Sequence, residues 1–265
     1  MRRLFIFGLG YSAGYIARAA EARGIEVIST GREGTLAFDD AGTVRMALAD
    51  AEAVLSSVPP GGEGLDPVLE AYGDALDGKW LGYLSSTGVY GDTGGAWVDE
   101  TAPTVSTGSS GRRTARAACD AAWLERGARV LRLPGIYGPG RSALDRVREG
   151  RAHRIDLPGQ VFSRVHVADI ASGAIAALGG PAGAYNLADD RPASQNAVIE
   201  EACRLLGQPI PPLLALEEAG LSPMARAFYA ENRRVANGKA RRVLGWAPRF
   251  ASYREGLRAI REAGG

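Results

Sequence analysis

Only two cysteines, Cys119 and Cys203, occur in 265 residues, far apart and without a C-x-x-C neighbour. A disulfide framework and a thiolate zinc site are thereby excluded, and both residues read as buried small hydrophobes. Histidine is as scarce, with His153 and His166 the whole supply, and no G-x-S-x-G elbow accompanies them. A hydrolase triad therefore has little to draw on. Walker-type G-x-x-x-x-G-K-S/T and H-E-x-x-H are both missing, which removes the P-loop and zincin readings and leaves no metal site. Neither sign of charge is in excess: 31 Lys and Arg face 30 Asp and Glu, for a formal charge of +1. Any bound anion must be met by a local site rather than by a global field. The pairs Arg112-Arg113 and Arg233-Arg234 come without interleaved aromatics. They read as solvated faces and not as a nucleic-acid surface, with an anionic substrate as the other use of Arg233 or Arg234. No apolar run approaches the roughly eighteen residues of a spanning helix, so no membrane partner is expected. The opening Met-Arg-Arg-Leu-Phe-Ile-Phe is broken by Gly8, Gly10 and Gly14 before it can act as a signal peptide. A cytoplasmic protein is expected.

What is present is a regular alternation. Leu4 to Phe7 is a short apolar run ending in glycines, and Tyr15 to Ala22 has the composition of a helix. Further apolar runs follow at Glu26 to Ser29, Ala53 to Val58, Trp80 to Ser85 and Arg129 to Leu133, with helical stretches at Pro67 to Leu76 and Thr114 to Arg126. Strands alternating with helices predict an α/β, Rossmann-type doubly wound parallel sheet. The dinucleotide-binding domain is expected over 1–140, and a smaller substrate lobe over most of 141–265, with 160–190 a stretch that can return to the first domain. Helices are expected near Ala143 to Glu149, Val167 to Leu178, Asn196 to Leu206 and Tyr253 to Glu262; Gly94-Gly95 and Ser106 to Gly111 mark loops.

Gly8-Leu9-Gly10-Tyr11-Ser12-Ala13 fits G-x-G-x-x-G/A between an apolar strand and a helix, the context a dinucleotide fingerprint demands. Gly8 would allow the tight turn, Gly10 the approach of a pyrophosphate, and Ala13 close packing of helix on strand, while Tyr11 and Ser12 open the helix whose free N–H groups face the phosphates. The second strand ends in Thr30-Gly31-Arg32, where an NAD-preferring site would place an acid. A guanidinium there suits a 2′-phosphate, so NADP is favoured over NAD; the alternative is a solvated Arg32 with Glu33 meeting the ribose. Ser57, Val58, Pro59, Ser85 and Pro134 stand at later strand ends, where such sheets bind ligands, and complete the expected cofactor set with Arg116.

Leu84-Ser85-Ser86-Thr87-Gly88-Val89-Tyr90-Gly91, Arg132-Leu133-Pro134-Gly135-Ile136-Tyr137-Gly138-Pro139-Gly140, Arg164-Val165-His166-Val167-Ala168-Asp169, Tyr185-Asn186-Leu187 and Leu244-Gly245-Trp246-Ala247-Pro248 resemble, in order, motifs of the NAD-dependent epimerase/dehydratase branch of the extended short-chain dehydrogenase/reductases. The resemblance spans almost the whole chain. It implies that Ser86 hydrogen-bonds the reacting oxygen, that the Tyr137 segment lies near the nicotinamide, and that the substrate is a small molecule, anionic or a nucleotide sugar, with a homodimer as one oligomeric option. His166 and Asp169 read as structural polar residues. One departure stands out: with Asp120 set on the family's helix acid, Arg112 and Arg116 replace the tyrosine and lysine of Tyr-x-x-x-Lys. Arginine cannot donate a proton near neutral pH, though Arg116 can hold a ribose hydroxyl or phosphate. The pattern resembles atypical members of the superfamily. Tyr137, Tyr90, Tyr11 or water is left to replace the acid if the protein is an enzyme; a non-catalytic NADP sensor is the alternative.

Overall fold

The computed structural model describes residues 1–61, 65–105, 112–221, 226 and 229–264, with the side chains of residues 112 and 113 outside the described set. In chain order the first half contains β1 (Arg3–Phe7), α1 (Tyr11–Glu21), β2 (Glu26–Ser29), α2 (Ala41–Asp50), β3 (Ala53–Ser56), α3 (Pro67–Tyr72), β4 (Trp80–Ser86), β5 (Trp97–Val98), α4 (Arg112–Glu125) and β6 (Arg129–Leu133). Then come β7 (Gly135–Tyr137), α5 (Ala143–Arg148), β8 (Arg154–Ile155), β9 (Arg164–His166), α6 (Val167–Ala177), β10 (Gly183–Asn186), α7 (Gln195–Leu206), β11 (Leu213–Leu214), β12 (Arg234–Val235), α8 (Gly238–Leu244) and α9 (Tyr253–Gly264). The Ser106 to Gly111 loop falls outside the described residues.

Six strands form one parallel sheet in the order β10-β6-β4-β3-β1-β2, a Rossmann-type α/β architecture. β1 is apolar from Leu4 to Phe7 because both of its faces are covered there. Leu4 and Ile6 pack with Ala13 and Ile16 of α1 and Ile170 of α6, whereas Phe5 and Phe7 pack with Val44 and Leu48 of α2, Tyr72 of α3 and Trp123 of α4. Small residues let α1 and α6 lie close: Ala13, Ala17 and Ala20 share a layer with Ala171, Ala174 and Ala177. Chain order reverses at β1, with β2 on one side and β3 on the other. This is the position where the strand ends of an open α/β sheet leave a crevice.

β10 comes from beyond the Gly138 to Gly140 turn and pairs with β6 through Gly183 and Arg129. Around a separate core of Leu144, Val198, Ile199, Tyr253, Leu257 and Ile260 stand α5, α7 and α9. Short parallel pairs, β7 with β9, β8 with β11 and β12 with β5, tie this lobe together. α2 occupies a stretch to which the sequence assigned no helix. It buries just Val44 and Leu48 and is started by the Asp40 carboxylate, which accepts from the Thr43 N–H at 3.2 Å. Among the described residues no helix is long and apolar enough to cross a membrane.

Candidate functional site

A cleft of about 560 Å³ opens at the reversal point, lined by Gly8 to Tyr11 after β1, Thr30 to Glu33 after β2, Phe38, and Ser57 to Pro59 after β3. The turn after β1 is held by its neighbours. Leu9 N donates to Thr30 O at 2.7 Å, Gly8 N to Thr30 Oγ1 at 3.2 Å, and Ser57 Oγ to Gly8 O. Gly8 sits at φ +80, where a side chain would be strained. Gly31, at φ +119, allows the two loops to touch: a Cβ there would lie 2.8 Å from Leu9 N.

Gly10 differs. Its backbone is extended, at φ −113, and a Cβ added to it meets nothing within 4 Å, so a side chain there would stand in open space. Gly10 also stands at the N-cap of α1, whose first turn contains no acid and receives no side-chain cap. Donor N–H groups and the positive end of the helix dipole therefore face the opening. The cradle, its donors and the exposed Arg32 guanidinium on the rim fit a dinucleotide. Of the expected cofactor residues, Gly8, Gly10, Tyr11, Thr30, Arg32, Ser57, Val58 and Pro59 line this cleft. Ser12 is in the first turn of α1 and Ala13 is buried beneath it. Leu9, Gly31 and Phe38 were not anticipated. Gly31 had a local signal, a glycine directly after a strand, whereas Phe38 arrives through a loop path that spacing does not encode.

Beside the cleft, at the ends of β4 and β6, lies a buried polar chain. Asp120 of α4 accepts from Ser85 Oγ at 2.6 Å and from Arg132 Nε and Nη2 at 3.0 and 2.7 Å. Arg132 Nη1 donates to Tyr90 Oη at 3.0 Å, and Tyr90 donates to Asn186 Oδ1 at 2.8 Å. Two of the expected site residues have their side chains engaged here. Ser85 is 4% exposed and its hydroxyl is committed to Asp120, so its side chain is not free for a cofactor. Tyr90, whose phenol burial pushes above its ordinary range, is likewise committed on both sides and is not a spare acid.

Tyr137 is engaged as well. It is 8% exposed, belongs to the lobe core, and its ring fills the space left by Gly256 under α9. Among the described residues its hydroxyl reaches Ser252 O alone, at 3.5 Å, and burial drives it well above the usual phenol range. Ser86 is half-buried at the end of β4, and its oxygen accepts from Gly88 N at 3.1 Å while capping the short turn Thr87–Tyr90. That leaves its hydroxyl proton to donate. Arg116 is half-buried on α4 beside Tyr83 and Cys119, and Pro134 ends β6; neither is in the cleft lining. Arg112 has its side chain outside the described residues.

The remaining polar residues of the lobe have structural tasks. Asp169 accepts from the backbone N–H of Arg249 and Phe250 at 2.7 and 3.2 Å. His166 caps α6 through Nδ1, and burial holds its imidazole down to about 4, hence neutral. Arg233 pairs with Glu231 and donates to Gly91 O, while Arg234 donates to Gly95 O, so both serve as clasps between loops rather than as solvated faces. Cys119 and Cys203 are both buried, as expected of small hydrophobes.

No family model matches the chain. It is 38% identical to a functionally unknown conserved protein from Silicibacter pomeroyi, whose solved structure aligns over 99% of each chain with a TM-score of 0.87. A UDP-glucose 4-epimerase of Thermus thermophilus complexed with NAD aligns over 98% of each chain at 20% identity and a TM-score of 0.74. A UDP-glucose 4-epimerase of Thermotoga maritima with UDP-glucose aligns over 98% of this chain and 97% of that one, at 18% identity and a TM-score of 0.78. These two share the fold. A 3-diazoavenalumate denitrifying reductase from a Streptomyces species is 34% identical over 140 residues, a match spanning 48% of this chain and 45% of that protein.

Proposed function

The chain belongs to the same family as the Silicibacter pomeroyi protein and has the fold of NAD-dependent epimerases and dehydratases, and from that premise we propose that it is an NADP-dependent oxidoreductase or nucleotide-sugar-modifying enzyme. The single observation that carries the reading is the glycine-turn cleft at the reversal point of the sheet, open at Gly10 and rimmed by Arg32. The N–H groups at the start of α1 hold the diphosphate. Arg32 takes the 2′-phosphate, as a charge-assisted pair favours, and Arg116 meets the nicotinamide-side ribose. When bound, the nicotinamide supplies the hydride chemistry. Ser86 donates its free hydroxyl proton to the reacting oxygen of the substrate and polarises it.

A second reading, a dinucleotide-responsive regulator without turnover, is favoured by one observation: Tyr90 and Tyr137 are both locked in buried contacts. Titration of cofactor-stripped protein with NADPH and NADH, followed by nucleotide fluorescence, tests the cofactor. NADPH should bind more tightly, and Arg32→Ala should weaken it by about tenfold or more while leaving NADH unchanged. Equal affinity for the two nucleotides in the unaltered protein, or no binding of either, overturns the reading. A substrate screen comparing Ser86→Ala then separates enzyme from regulator.

A further inference from the structure

We infer that Arg141 is a second anion-binding group of the dinucleotide cleft, taking the cofactor's diphosphate from the side opposite the N-terminus of α1; this rests on the cofactor reading above. Arg141 is far from the glycine turn in sequence and close to it in space. It closes a tight turn, Gly138-Pro139-Gly140-Arg141, in which Arg141 N donates to Gly138 O at 3.0 Å, Gly138 N donates to Arg141 O at 3.3 Å, and Gly140 takes φ +70. Tyr11, the first residue of α1 and part of the cleft wall, is fastened to that turn by its hydroxyl, which donates to Pro139 O at 3.0 Å. Gly138 makes the approach feasible, since a Cβ there would stand 2.5 Å from the Tyr11 hydroxyl.

The Arg141 guanidinium lies over the Tyr11 ring, 5.6 Å from its centroid. Stacking of this kind orients the fork while leaving its N–H donors free. Those donors have no acceptor among the described residues. Asp145, close by in sequence, is occupied: one of its carboxylate oxygens accepts from both Ser142 N and Ser142 Oγ at 2.7 Å to cap α5. The residue is exposed, and the Tyr11 ring is the contact that holds its guanidinium in place. A guanidinium held on an aromatic face beside a helix start that lacks acids is suited to an oxyanion between them. Arg32 lines the cleft after β2, Arg141 stands over the Tyr11 ring beside it, and the two cations divide the ligand: Arg32 the 2′-phosphate, Arg141 the diphosphate.

The division makes the test specific. Dissociation constants are measured by fluorescence for NADPH and NADH, and by calorimetry for ADP-ribose and adenosine 2′-monophosphate, with the unaltered protein, Arg141→Gln and Arg32→Ala. Arg141→Gln should weaken NADPH, NADH and ADP-ribose by one common factor, about tenfold for a lost charge-assisted contact. It should leave adenosine 2′-monophosphate, which has no diphosphate, unaffected. Arg32→Ala should show the complementary pattern, weakening NADPH and adenosine 2′-monophosphate only. Thermal unfolding of Arg141→Gln should match the unaltered protein, since no ion pair is lost. If the unaltered protein binds the nucleotides and Arg141→Gln binds them equally well, the inference fails and the cofactor reading stands. If the unaltered protein binds none of them, both fall.

Discussion

Replacing Asp120 by Asn removes one charge from the buried chain at the ends of β4 and β6 while keeping its shape. The carboxylate is 2% exposed and the guanidinium of Arg132 is 5% exposed, so solvent cannot compensate either. Asp120 accepts three short bonds, two from Arg132 and one from Ser85. The amide offers one oxygen and turns an NH2 group toward donors, leaving Arg132 a buried cation without a counter-ion. Breaking a buried pair from one side costs about 3–5 kcal/mol. For a chain of this size that lowers the melting temperature by roughly 6–20 °C. Urea unfolding gives the free energy and differential scanning calorimetry the temperature. The double variant Asp120→Ala/Arg132→Met should regain most of the loss, because two apolar groups leave no orphaned charge. An Asp120→Asn protein within about 1 kcal/mol of the original would refute the assignment of this pair as a buried, mutually dependent unit.

Three other expectations are quickly checked. Burial raises the Asp189 carboxyl to about 7, and its Oδ2 has no partner, while Arg164 pulls it down less than burial pushes it up. The folded state therefore keeps a proton that the unfolded state releases near pH 4, and this group's contribution is complete below that pH and lost as pH rises through 7. Asp189→Asn should flatten the stability profile between about pH 4 and 7 and gain up to about 4 kcal/mol above that window; parallel profiles for the two proteins would contradict this. Tyr137→Phe should change stability by less than about 1 kcal/mol, given a hydroxyl contact of 3.5 Å, whereas Tyr137→Ala should cost about 3–5 kcal/mol in urea unfolding. Gly31→Ala, forcing a Cβ onto Leu9 N at φ +119, should cost about 1–3 kcal/mol and loosen the glycine turn, seen as a lower urea midpoint together with weaker nucleotide binding.

The sheet was legible because its signals are local. Glycines after Phe7, apolar runs such as Ala53 to Val58 and the helical composition of Thr114 to Arg126 all appear within a few residues, and the structure places β1, β3 and α4 there. α2 was missed because two buried side chains leave too weak a period to see. Most of the cleft was legible for the same reason, since Gly8 to Tyr11, Thr30 to Arg32 and Ser57 to Pro59 are strand-end segments. What spacing could not show was commitment. Ser85, Tyr90 and Tyr137 carry the same atoms as free catalytic groups, and only their partners Asp120, Asn186 and the packing of α9 reveal that they are used elsewhere. Arg141 was invisible for the converse reason: its neighbour Tyr11 is distant in the chain.

Gly10→Val tests the central claim most directly, because Gly10 lines the cleft and a Cβ added to it meets open space and not protein. Its extended backbone accepts valine, so the fold should lose no more than about 1 kcal/mol from the poorer helix cap. Calorimetric titration of NADPH into both proteins, with melting curves alongside, should show saturable binding in the original and none in the variant at a nearly unchanged melting temperature. Undiminished binding by a folded Gly10→Val protein would contradict the placement of the dinucleotide on the glycine turn.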